Sequence, residues 1–441
     1  MSKTKTSVRV SDLSKRDTQI SIGLIGLLFF IFGFVTWVNA ILIPFFKIAC
    51  ELNHFESYLV TFAFYIAYLV MALPSGYLLK RIGFKKGMMV GFIIMSVGAF
   101  LFVPAGLNRA YPVFLTGLFT LGIGLAILQT AANPYITILG PSDRAAQRFS
   151  IMGICNKLAG IIAPALFAAV ILKPTDNLMF QQIELMQGLE KEAALDALIA
   201  RVVHPYAVVG ALLAVLALLV RVSPLPEIDT DHEADEVATT NATKKSVLDF
   251  PYLVLGAIAI FFHVGSQVIA VDSIVNYATH LGVDFLTAKN FPSYTLTATI
   301  VGYLLGISFI PKVLSQITAL KICTVLGLLL SALILIVKHP IHAFGQTVDI
   351  SIWFIVLLGF ANSMIWAGVW PLALNNLGRF IKTGASLLIM GLCGNAIMPL
   401  LYGYWADHHS LREAYWVLLP CYAYLIFYAF YGHRITSWSS K

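Results

Sequence analysis

The chemistry legible in this chain lies in the few polar side chains that fall inside long apolar stretches. Of 22 acidic residues only Asp272 is clearly within such a stretch, and Lys157 is the one comparable base. A charge held at the centre of hydrocarbon costs about 2.5–3.5 kcal/mol on insertion scales, so both are functional candidates by default. Amides make up the rest. Gln129 and Asn133 stand four apart and share a helix face, as do Asn362 and Trp366, with Trp370 a turn further on; Asn39 shares a face with Thr36. Asn156 precedes Lys157, and the stretch ending near 278 carries His263, Gln267 and Asn276 beside Asp272. Amides both donate and accept hydrogen bonds, and aromatic rings offer a flat apolar face. Together they suit a neutral, hydroxyl-rich small molecule. The competing reading is that buried amides tie helices together, each worth under about 1 kcal/mol.

Asp272 has two readings: a proton or sodium site, or a hydrated carboxylate near the end of its helix. At 100° per residue Gln267 and Asp272 lie about 140° apart, so an unbroken helix cannot aim both at one cavity. By helical rise Lys157 sits ~12 Å and Asp272 ~30 Å from the same membrane face, which forbids a direct pair. Gln129, ~15 Å from that face, is the nearer partner for the ammonium.

Other chemistry is absent from the pattern. The five cysteines have no metal spacing and read as small buried hydrophobes, and His408-His409 is too lean for a metal site. No G-x-x-x-x-G-K-[ST] loop appears, and no nucleophile constellation. The chain is therefore expected not to be an enzyme and to need no cofactor, a coupling proton or sodium ion aside.

The elements that position these groups follow from composition. The 441 residues are 59% hydrophobic and 12% charged, against about 25% charged in soluble proteins. A helix needs about 20 apolar residues to cross the bilayer, and only a helix satisfies its own backbone there. Twelve segments qualify: roughly 20–47, 55–79, 86–106, 111–139, 147–172, 202–222, 251–278, 289–311, 319–338, 348–374, 383–406 and 412–432. The predicted class is all-α integral membrane, with a tail 1–19, a six-helix bundle 20–222, a charged linker 223–249, a second bundle 250–432 and a tail 433–441. Residues 173–201 have room for a short surface helix. With both termini in the cytoplasm, 20 basic residues lie inside and eight outside, the bias expected of a cytoplasmic face. The net charge of +7 is spread over short loops rather than one soluble face, so no nucleic-acid partner is expected. The bilayer and a small molecule are the expected partners of a functional monomer.

A shift of about 235 residues exposes a duplication. Ile151-Met152-Gly153-Ile154-Cys155 returns as Ile389-Met390-Gly391-Leu392-Cys393. Gly122 to Pro134 and Gly359 to Pro371 keep the same spacing, and Gly33 aligns with Gly265, which sets Ala40 opposite Asp272.

Two related six-helix halves resemble the major facilitator superfamily, whose substrate sits between halves that rock to expose it to each side in turn. The loop Gly76-Tyr-Leu-Leu-Lys-Arg-Ile-Gly-Phe-Lys-Lys86 is similar to that superfamily's G-x-x-x-D-R-x-G-R-[KR], with Lys80 in place of the usual Asp. Gln129-Thr-Ala-Ala-Asn-Pro-Tyr-Ile-Thr-Ile-Leu-Gly-Pro141, Trp37-Val-Asn39-Ala40-Ile-Leu-Ile-Pro44 and Cys155-Asn156 resemble its fucose–galactose–glucose branch. The resemblance implies a bacterial inner-membrane importer of a neutral hexose, glucose or galactose first, then fucose, mannose or N-acetylglucosamine, coupled to protons or sodium. It also implies that Asn156 contacts sugar. The fucose–proton members carry carboxylates where this chain has Ala40 and Gln129, neither of which titrates, so coupling would fall to another group, Asp272 first. The alternatives are an uncoupled uniporter and, further off, a sugar-sensing membrane protein. The candidate substrate-binding residues are Asn39, Gln129, Asn133, Asn156, Lys157, Gln267, Asn276, Asn362 and Trp366, with Asp272 for cation coupling.

Overall fold

Long apolar runs with internal glycines and hydroxyls fold here as tightly packed helices. The computed structural model describes residues 15–52, 54–139, 141–171, 179, 182–183, 185–223, 244–283, 288, 290–343 and 346–438. Most of the expected N-terminal tail and linker lies outside these residues.

Spans one to six are the helices Lys15–Ala49, His54–Ile82, Phe84–Leu107, Tyr111–Ile138, Ala145–Ile171 and Val203–Val222. Spans seven to nine are Pro251–Asp272, Phe291–Phe309 and Gln316–Ile336, followed by span ten, Ile350–Leu374. Span eleven is built from Ile381–Met390, a 3-10 turn at Gly391–Cys393, and Gly394–His408; span twelve is Leu418–Phe430. The surface helix expected after span five is Gly188–Ile199. Among the described residues ten helical stretches are long and apolar enough to cross a membrane unaided. Spans five and eight complete the twelve, and span eight is diluted by a run of Thr, Ser and Tyr. These two pack against each other across the halves.

The repeat is visible in the packing. A Cβ on Gly33 would stand 2.3 Å from the Asn156 carbonyl oxygen, and one on Gly265 would stand 3.1 Å from the Gly394 carbonyl oxygen. Asn156 and Gly394 are themselves repeat-related, so spans one and five meet as spans seven and eleven do. Gly122 and Gly359 press on spans two and eight in the same corresponding way. Small residues at these crossings let backbones approach where lipid supplies no hydrophobic drive.

The two ends of the bundle differ. One end, here the basic end, carries Lys80, Arg81, Lys85, Lys86, Arg144 and Arg379 in its helix ends and short turns. Gly83 turns span two into span three there with φ +83°, a conformation that favours glycine. The halves are bound together toward this end. Ala146 donates its backbone N–H to Gln316 Oε1 at 2.8 Å, and Gln147 donates to the Ile307 carbonyl at 2.8 Å. Lys382 Nζ lies 5.4 Å from the Phe84 ring centre, and Gly76 abuts Ser386. At the opposite end a short hairpin pairs Pro340–Ala343 with Gln346–Asp349, an element the sequence pattern did not suggest.

Candidate functional site

Between the halves lies a cavity that leaves about 110 Å³ of room for the centre of a water-sized sphere. Spans one, two, four and five line it from one side and spans seven, eight, ten and eleven from the other. Its polar groups are Thr36, Gln129, Asn156 and Lys157 facing His263, Gln267 and Asn395. Its rings include Trp37, Tyr65, Tyr68, Tyr303 and Trp366.

Several of these polar groups are held by neighbours. Gln129 donates to the Tyr68 hydroxyl at 3.1 Å. Asn156 donates to the Phe29 carbonyl at 3.3 Å. The Lys157 ammonium donates to Gln267 Oε1 at 3.0 Å and lies 5.0 Å from the Trp37 ring centre. Its partner is therefore Gln267 of the other half, not Gln129. Asn395 is 7% exposed and its Oδ1 has no hydrogen-bond partner within the protein. Such an acceptor is costly to bury without a donor, and its place on the cavity wall leaves it available to one.

Repeat symmetry organises the wall. Lys157 and Asn395 are equivalent by the span-five and span-eleven alignment, and both line the cavity. Gln129 and Trp366 are equivalent by the span-four and span-ten alignment, and again both line it. One turn nearer the basic end, Asn133 and Trp370 are both fully buried. Asn133 donates to the Gln129 carbonyl at 2.9 Å, and Trp370 packs on Phe149 and Trp366. A single site thus has one wall supplying a cation and amide, the other an amide and an indole.

Of the residues singled out in the sequence, the cavity gathers Gln129, Asn156, Lys157, Gln267 and Trp366. Asn362 is buried in the wall, where it accepts the Tyr422 hydroxyl at 3.0 Å and neighbours His263. Asn276 is exposed on the short helix Ile274–His280 at the far end. The side chain of Asn39 lies outside the described residues. Span seven is helical without interruption from Pro251 to Asp272 and bends only at Ser273. Gln267 and Asp272 accordingly face different ways. Asp272 does not line the cavity; it is exposed, within electrostatic reach of Tyr65 across the cleft. Its five-residue offset from Gln267 is about 7.5 Å of rise toward the far end.

Trp37, Tyr65, Tyr68, Tyr303 and His263 join the site without having been singled out as its members. Tyr65 and Tyr68 stand three apart, so they share a helix face. That spacing was a usable signal, but one indistinguishable from ordinary packing.

Two six-helix halves, related by an internal repeat and enclosing one central cavity, define a membrane transporter with a two-fold pseudo-symmetric core. The sequence profile of the Major Facilitator Superfamily matches residues 25–393, and the chain belongs to that family, one of transporters rather than enzymes. It is 32% identical over 431 residues to a glucose/galactose transporter of Brucella abortus, covering 98% of each chain. It is 27% identical over 412 residues to the L-fucose-proton symporter of Escherichia coli, covering 93% of this chain and 92% of that one. Among solved structures, the transporter FucP in the outward conformation superposes with a TM-score of 0.78 at 24% identity, covering 94% of this chain and 99% of that one.

Proposed function

We propose that this protein imports a hexose across a bacterial inner membrane by alternating access, driven by a proton or sodium gradient. The observation that carries the reading is the composition of the central cavity. Amides from both halves (Gln129, Asn156, Gln267, Asn395) stand among indole rings (Trp37, Trp366), the chemistry that holds a hydroxylated ring by its edge and its face. Glucose and galactose are the first candidates, a reading that the names of relatives support, with fucose, mannose and N-acetylglucosamine behind them. Excess positive charge sets the basic end, and with it both termini, in the cytoplasm. The cavity then stands closed to the cytoplasm and reached from outside.

Asp272 is the coupling group in this reading. It ends span seven, it is reached by solvent, and it lies within electrostatic reach of Tyr65 of the opposite half, just beyond the cavity. Closure of the far end would bring that cleft together around it. An uncoupled uniporter is the second reading, favoured by one fact: among the described residues no carboxylate lines the cavity itself. Uptake of radiolabelled hexoses into proteoliposomes, under a proton gradient, a sodium gradient or none, decides both. Concentrative uptake of a hexose under one gradient supports symport, and equilibration without concentration supports the uniporter. Failure of every hexose and amino sugar to enter or exchange rejects the proposal.

A further inference from the structure

We infer that Lys157 fits the cavity to acidic hexoses, so that a hexuronate is bound with its carboxylate on the Lys157 ammonium. The inference rests on the hexose reading above and narrows it. Lys157 is 5% exposed and lines the cavity. Its named partners are one neutral amide oxygen, at 3.0 Å, and the face of Trp37. None of the described carboxylates forms an ion pair with it. Asp272, the acidic residue deepest in a described span, stands about 7.5 Å of helical rise beyond Gln267, the residue that the ammonium contacts, and forms no ion pair with it.

A desolvated ammonium with one neutral acceptor leaves two N–H donors and a full charge without a matching anion. A buried charge left in that condition is strongly unfavourable, whereas pairing it with hydrogen-bonded opposite charge recovers much of the cost. A substrate carboxylate does so with charge-assisted bonds roughly twice as strong as neutral ones. The rest of the wall is uncharged and ring-bearing, so it reads the remainder of a pyranose as it would in a neutral sugar. A sugar phosphate fits less well, because its charge of about −1.5 to −2 meets a single cation.

The test is a binding titration on the purified full-length protein at fixed pH and ionic strength. It reads quenching of the cavity tryptophans by D-glucuronate, D-galacturonate and their parent hexoses. Each uronate is expected to bind at least tenfold tighter than its parent. Lys157→Gln should reduce that ratio to about one, and Lys157→Arg should restore a preference for the uronate. The charge-preserving variant separates loss of the ion pair from loss of fold. Equal affinity of uronate and parent in the unaltered protein overturns the inference and leaves the hexose reading standing. A preference that survives Lys157→Gln overturns it as well. Binding of neither class rejects both readings together.

Discussion

Gln129 and Trp366 line the cavity from repeat-equivalent positions, while Asn133 and Trp370, each one turn further on, are fully buried. Substitutions at the two levels should therefore fail differently. Gln129→Leu or Trp366→Leu is expected to raise the half-saturating sugar concentration about tenfold, equivalent to about 1.4 kcal/mol of binding, with little change in thermal stability. Trp370→Leu empties buried volume and should cost roughly 3 kcal/mol of stability, read as a lowered Tm in detergent. Equal loss of affinity in all three variants would erase the distinction between wall and core. Asp272→Asn tests coupling separately: sugar counterflow should persist within about threefold, while gradient-driven accumulation should vanish. Retained accumulation would move coupling to another group. Sequence reading reached Gln129, Asn156, Lys157, Gln267 and Trp366 because polar and indole groups inside apolar runs stand out. It could not separate Gln129 from Asn133. Helical spacing gives a shared face but not the depth at which the facing half closes in, and that depth decides which residue meets the cavity.

At the scale of elements, the repeat glycines set how closely spans approach. Gly33→Ala would place a methyl group 2.3 Å from the Asn156 carbonyl oxygen, and overpacking of that kind costs about 1–3 kcal/mol. Gly23, in the same span with nothing within 4 Å of an added Cβ, is the control. Gly23→Ala should hold or raise Tm through helix propensity, and a matching loss in both variants would reject close approach as the cause. The far end of the second half is tied by a different device. Arg412 contacts Asp349 at 2.8 Å and donates to the Val337 carbonyl at 2.8 Å, while Asp349 caps span ten by accepting the Ser351 N–H at 2.9 Å. Partial burial works to raise the Asp349 pKa, but the Ser351 hydrogen bonds and the Arg412 guanidinium outweigh it and hold the carboxyl below its ordinary range. A depressed carboxylate lends stability above its unfolded value of about 3.9, and that stability is lost as pH falls through the folded value. Asp349→Asn should thus lower Tm at pH 7, and the gap to the unaltered protein should close below about pH 4. A gap independent of pH would assign the loss to the cap's geometry alone. The spans themselves were legible from run length, because lipid allows no other backbone solution. The hairpin 340–349 was not, since two four-residue strands carry too little alternation to register.

At the scale of the whole molecule, the asymmetry between its ends is what gives one cavity a direction. The inter-half bonds from Ala146 to Gln316 and from Gln147 to Ile307 lie on the basic side of the Lys157–Gln267 bond. Opening the basic end requires spans five and eight to part there. Because Gln267 belongs to the second half and Lys157 to the first, the cavity's own polar wall is remade at the same time. Rocking of two rigid halves is therefore coupled to ligand contacts without any break inside span seven, which stays helical to Asp272. Cysteines placed at Ala146 and Gln316, in a background with the five native cysteines replaced, permit a reversible cross-link across that closed end. Cross-linked protein should still bind sugar, measured by tryptophan quenching, because the cavity remains open to the other side. Its uptake into proteoliposomes should fall at least tenfold and return on reduction, since alternating access needs both ends to open in turn. Undiminished uptake by fully cross-linked protein would mean that the pathway does not pass between these helices, and the two-half mechanism would not apply to this chain.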